Sequence, residues 1–204
     1  PLSKVKKSGR VKFLKKRGHV LNVEFKSEVE KVLKKFKEDL YTLHDLATRD
    51  EKTGAYNHRF FMNLFELEFE RAKRKEKSLS LVIIHIDFFK KINDTYGHLT
   101  GDLVLYELSK NIQGTIRKYD VLARFGGEEF LVLLPGTSKS TAKIVSERIR
   151  KGLLKSSVLK RYNVKVSIGL TEYKNSDTIK RIIKRADDAL YQAKKKGKDR
   201  VEVL

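Results

Sequence analysis

A chain of 204 residues with 40% hydrophobic side chains can bury one medium domain and still carry an extension. It has no cysteine, which excludes disulfides and thiolate metal sites, and no apolar run long enough to span a bilayer. The net charge of +20, from 46 basic and 26 acidic residues, invites a nucleic-acid reading, but the distribution of charge argues against a dedicated one.

Residues 1–22 form a basic arm, with eight Lys or Arg and no acid before Gly18. A solvated tail is the plainer reading of this arm; contact with a membrane or nucleic acid is the rival. Within it, Val11–Leu14 and His19–Phe25 are expected to pair as a small hairpin around Gly18. Residues 23–49 turn helical. Val29, Leu33, Phe36, Leu40, Leu43 and Ala47 follow spacings of 4, 3, 4, 3 and 4, a heptad seam that predicts a two-stranded coiled coil or a helix packed on its own domain. No secretory leader is visible, so the expected location is cytoplasmic, and a start at Pro1 fits a piece of a larger protein with an upstream sensor domain.

Residues 50–204 alternate helix and strand. Helices are expected at 57–75, 100–117, 138–155 and 177–196, strands at 79–87 and 164–171, and an edge strand at 201–204. Val121-Leu122-Ala123 and Leu131 to Leu134 read as two buried strands, with Gly126-Gly127 as the tight turn between them. The predicted class is α/β, a mixed central sheet flanked by helices. Glu128 and Glu129 then sit at the tip of a hairpin, where paired acids suit a hard cation and the phosphates that accompany it.

The stretch Arg124-Phe-Gly-Gly-Glu-Glu-Phe130 resembles the signature of the GGDEF family, the diguanylate cyclases, in its Gly-Gly-Glu-Glu-Phe form. The resemblance runs from about Asp50 to the C-terminus. It includes Asp50-Glu-Lys-Thr-Gly54, Phe88-Phe-Lys-Lys-Ile-Asn-Asp94, Tyr96-Gly-His98, Gly101-Asp102, Val166-Ser-Ile-Gly169 and Ala186-Asp-Asp-Ala-Leu-Tyr-Gln-Ala-Lys194. It implies the palm-like nucleotidyl-cyclase fold, preceded here by a helix. It also implies that two GTP molecules are condensed into cyclic di-GMP and pyrophosphate by a homodimer under product inhibition. The alternative is a catalytically degenerate domain that binds GTP or cyclic di-GMP as a regulatory module.

The same resemblance implies roles for single residues. Glu128 and Glu129 would be catalytic. Asn93 and Asp102 would read guanine, an amide and a carboxylate facing the purine edge. The turn at Phe88 and Phe89, with Lys194 and Lys198, would hold phosphates. Lys198 stands where the family usually has Arg, which keeps the charge and loses the bidentate fork. Glu128, the Ile86 carbonyl, His85 and Asp87 would surround Mg2+ or Mn2+. Arg117, Asp120 and Arg148 would form the inhibitory product site. His85 departs from the family pattern, which has an aspartate there, and imidazole suits zinc, nickel or copper better than magnesium.

Overall fold

The structure is a computed structural model. It describes the backbone of residues 5–75 and 77–204, and the side chains from residue 25 onward except 75 and 76. Two compact units divide at Leu46/Ala47.

The first unit is helical. Helix α1 runs Val5–Thr48, its last two residues falling in the second unit. The hairpin expected around Gly18 is therefore incorrect: the backbone is continuously helical there. No turn dipeptide stands in that stretch, and Lys, Arg and Leu favour helix. The contacts of the basic arm's side chains lie outside the described residues. From Phe25 onward the seam is exposed, with Val29, Leu33, Phe36, Leu40 and Leu43 all open to solvent.

The second unit has the order α2 (His58–Lys75), β1 (Leu79–Ile86), α3 (Phe89–Tyr96), α4 (His98–Gln113), β2 (Val121–Arg124), β3 (Glu129–Pro135), α5 (Lys139–Gly152), α6 (Ser157–Arg161), β4 (Val166–Glu172), α7 (Ile179–Lys195) and β5 (Val201–Val203). The sheet order is β2-β3-β1-β4-β5, antiparallel except for the parallel edge pair β4–β5. This is the mixed α/β fold expected from the sequence.

β1 is the central strand and is covered on both faces, which explains its nearly unbroken apolar run. Val82, Ile84 and Ile86 join the core that also holds Val104 and Leu108 of α4. Leu79, Leu81 and Ile83 join the core that holds Phe61 and Phe65 of α2 and Ile182 and Leu190 of α7. The alternation puts His85 on the α7 side of the sheet.

Two short helices, α3 and α6, did not stand out in the sequence, because eight and five residues are too few to show a period. The hairpin turn also differs from expectation. The strands end at Arg124 and resume at Glu129, so the loop is Phe125–Glu128, not a two-residue Gly-Gly turn. Neither glycine has a positive φ. The Phe125 N–H donates to the Glu129 carbonyl at 2.9 Å and closes the loop.

Candidate active site

Strand register brings the site together. His85 pairs with Glu129 across β1–β3 and with Ser167 across β1–β4. Just beyond, the Ile86 N–H donates to the Glu128 carbonyl at 3.2 Å. The acidic tip therefore lies against the end of β1, where the chain turns into α3.

His85 Nε2 is 3.1 Å from Glu128 Oε1. His85 Nδ1 is buried and without a hydrogen-bond partner. Burial pulls the imidazole below its ordinary pKa, the positive charge of Lys194 adds to the pull, and the Asp87 carboxylate opposes it. Burial also pushes the Glu128 carboxyl up, Lys194 acts against that rise, and the like charge of Glu129 reinforces it. The positive charge of Lys194 thus bears on both His85 and Glu128.

The loop itself is held by a residue the sequence reading passed over. Arg124 donates to the Gly127 carbonyl at 2.6 Å, to the Gly126 carbonyl at 3.2 Å and to Asp50 Oδ1 at 3.2 Å. Asp50 in turn accepts from the Thr53 N–H and hydroxyl at 3.0 and 2.6 Å. The Asp-Glu-Lys-Thr-Gly segment is a bracket under the acidic tip. Its signal in the sequence was an arginine directly before the loop and an acid with no assigned partner.

Asn93 on α3 and Asp102 on α4 are brought together. A Cβ at Gly101 would collide with Asn93 Oδ1, so the glycine beside Asp102 is what lets the two helices meet at this point. Asp102 is paired with Lys52, which donates to its two oxygens at 2.7 and 2.8 Å. Phe89 is buried under α3, while Phe88 is exposed and left-handed at φ 58°. The Lys198 ammonium lies 4.6 Å from the Phe88 ring centroid.

The carboxylate of Asp87 is engaged by the protein itself. Asp87 is 4% exposed, and both its oxygens are taken by protein donors, the Ser167 hydroxyl at 2.8 Å and the Asp199 N–H at 3.1 Å. Among the described residues no three His, Asp or Glu side chains gather to hold an ion. The donors at the tip are one carboxylate, one imidazole and the Ile86 carbonyl. They do not make the all-oxygen shell magnesium prefers, and they fit a divalent transition ion that accepts nitrogen.

Arg117 and Asp120 close one turn, the Arg117 N–H donating to Asp120 Oδ2 at 2.8 Å. Asp120 Oδ1 is buried without a partner. Burial raises this carboxyl, against the Arg117 N–H and the charges of Arg117 and Arg148. Arg148 donates to the Thr115 carbonyl at 2.7 Å. A cavity of about 220 Å³ beside this turn is lined by Arg49, Tyr56, Arg117, Lys118, Asp120 and Leu122.

Paired acids thus end a β-hairpin against the start of α3, with Lys194 acting on Glu128 and Lys198 over Phe88. The chain belongs to the GGDEF family: residues 47–200 match the model of the diguanylate cyclase GGDEF domain. It is 46% identical over 166 residues to diguanylate cyclase A of Treponema denticola, covering 78% of this chain and 45% of that protein. It is 38% identical over 163 residues to the response regulator PleD of Caulobacter vibrioides, covering 77% and 36%. The chain thus spans less than half the length of these relatives. Among solved structures, the coiled coil and GGDEF domain of DgcB from Caulobacter crescentus in complex with c-di-GMP aligns at a TM-score of 0.78 and 27% identity, over 90% of this chain and 99% of that one. The active GGEEF domain of a diguanylate cyclase from Vibrio cholerae aligns at 0.64 and 37%, over 67% and 89%. Among the described residues no helix is long and apolar enough to cross a membrane.

Proposed function

We propose that this chain is a diguanylate cyclase that works as a dimer, each copy holding one GTP. The observation that carries this reading is the Glu128–Glu129 tip lying against the end of β1, where the chain turns into α3, with the charge of Lys194 acting on Glu128. In the reaction, the 3′-oxygen of one GTP bonds to the α-phosphorus of the other. The bond from that phosphorus to the bridging oxygen breaks, and pyrophosphate leaves. Glu129 takes the 3′-hydroxyl proton. The same exchange in the opposite sense closes the ring. Lys194 and Lys198 neutralise the phosphates, and the N–H groups at the start of α3 point toward them. Glu128, His85 and the Ile86 carbonyl would hold the divalent cation. When bound, that ion supplies charge stabilisation at the transferring phosphoryl group. Arg117, Asp120 and Arg148 would bind the product as an inhibitor.

One observation favours a non-catalytic module instead. His85 stands 3.1 Å from Glu128 where the family pattern has an aspartate, so a nitrogen takes the place of a carboxylate beside the ion. The deciding assay incubates the purified chain with GTP and either magnesium or manganese and follows cyclic di-GMP by chromatography. Product formation supports the enzyme; GTP binding with no product in either metal selects the module.

Asp102→Ala is expected to weaken GTP binding by about 1.5–3 kcal/mol, the size of a lost charged hydrogen bond. Calorimetry that finds equal affinity in parent and variant removes Asp102 from guanine reading.

The stalk gives a second expectation. An exposed a/d seam is the surface a second copy would cover, and the DgcB structure that aligns here contains a coiled coil. Leu40→Glu with Leu43→Glu should shift the chain to monomer and lower any cyclase rate. Light scattering that gives the same mass before and after the change would place the seam inside one copy.

A further inference from the structure

We propose that Asp87 is a positioning residue: its buried carboxylate ties β4 to the left-handed turn after α7 and so sets Lys198 at the mouth of the phosphate site. The proposal rests on the GTP-site reading above.

The turn is improbable by itself. Gly197, Lys198 and Asp199 have φ of 106°, 63° and 44° in succession. Two non-glycine residues in the left-handed region persist only where the surroundings hold them there. The holding groups are visible. The Lys198 N–H donates to the Ala193 carbonyl at 3.0 Å and caps α7. The Asp199 N–H donates to Asp87 Oδ2. The Asp199 carboxylate receives Arg150 Nη1 at 2.8 Å and lies 3.6 Å from Lys165 Nζ, and Arg150 also donates to the Asp199 carbonyl at 3.2 Å.

Asp87 is the buried member of this set. Its other oxygen accepts from Ser167 on β4, and its own N–H donates to the Lys165 carbonyl at 2.8 Å. One carboxylate therefore fixes the exit of β1, the start of β4 and the turn after α7 to one another. What the turn presents is Lys198, with its ammonium over the Phe88 ring at the start of α3. Arg150 is the second support, reaching the same turn from α5, two residues from Arg148. The family resemblance placed Asp87 beside the metal; its bonds point to this mechanical task.

Two measurements test the assignment. First, the amide exchange rate of Asp199 is read by NMR, with the buried Val132 amide as the reference for global stability. In Asp87→Ala the Asp199 amide should exchange at least about tenfold faster while Val132 changes little. Asp87→Asn should keep parent-like exchange, because its carbonyl oxygen accepts from Asp199 and its amide donates to the Ser167 hydroxyl. Second, a non-hydrolysable GTP analogue is titrated calorimetrically into a double-mutant cycle. Lys198→Ala should weaken binding about tenfold in the parent and in Asp87→Asn, and less than about twofold in Asp87→Ala. Asp199 exchange unchanged in Asp87→Ala overturns the proposal, as do additive losses for Asp87→Ala and Lys198→Ala. A loss of manganese dependence in Asp87→Asn would return Asp87 to the metal. If the parent binds no analogue, the GTP reading fails, and the exchange data alone decide whether Asp87 holds the turn.

Discussion

Replacing His85 with aspartate is expected to raise the magnesium-supported rate of cyclic di-GMP formation by one to two orders of magnitude, about 1.4–2.7 kcal/mol of barrier. The reason lies in the donor–acceptor balance of the tip. In the parent, a nitrogen, His85 Nε2, stands 3.1 Å from Glu128 Oε1 in place of a second carboxylate. With aspartate at position 85, two carboxylates face each other beside Glu129. Such a group is unfavourable until an ion enters, since like charges at short range each oppose the other's ionisation. The substitution also restores an all-oxygen donor set. A thermal readout separates this from a general gain in activity: magnesium should raise the melting temperature of His85→Asp and barely move the parent. In either background Glu128→Ala should remove the metal dependence. The idea is lost if the parent already turns over briskly with magnesium and His85→Asp changes neither rate nor melting response.

The parts of this protein legible in its sequence are those written in period or in local motif. β1 and β3 announce themselves as apolar runs because both sheet faces are covered. α7 shows because Ile182, Ala186, Ala189, Leu190 and Ala193 recur at helical spacing. The hairpin was visible as two such runs around a glycine pair, although its loop proved to be four residues long. What stayed hidden depends on pairings distant in sequence. Lys52 meets Asp102, Arg124 meets Asp50, and Asp87 meets Ser167 and Asp199. No local pattern records a partner 50, 74, 80 or 112 residues away. The partners of Asp87 stayed hidden for that reason.

Gly169→Ala should destabilise the unit from Ala47 to Leu204 by about 3 kcal/mol, at the upper end of overpacking costs, lowering its melting temperature by roughly 6–12 °C. A Cβ at Gly169 would run into the Leu190 backbone nitrogen and the Ala186 carbonyl oxygen. Both are main-chain atoms of α7, so no change of rotamer relieves the collision. The helix has to move off β4, and the close seat made for it by Ala186, Ala189 and Ala193 is lost. Arg185 resists that movement, because it clamps the first half of α7 to Asp177 at 2.6 Å, to the Glu172 carbonyl at 2.6 Å and to Thr171 at 2.6 Å. The displacement should therefore grow toward the other end of the helix, where Lys194 acts on His85 and Glu128. Stability and site are coupled at this glycine, and GTP affinity should fall together with the melting temperature. Gly127→Ala is the matched control. It lies beside the acidic tip, has an ordinary φ, and a Cβ there meets nothing within 4 Å. Its effect on stability should stay within about 0.5 kcal/mol. Equal melting shifts for the two variants would mean that α7 does not rest on Gly169.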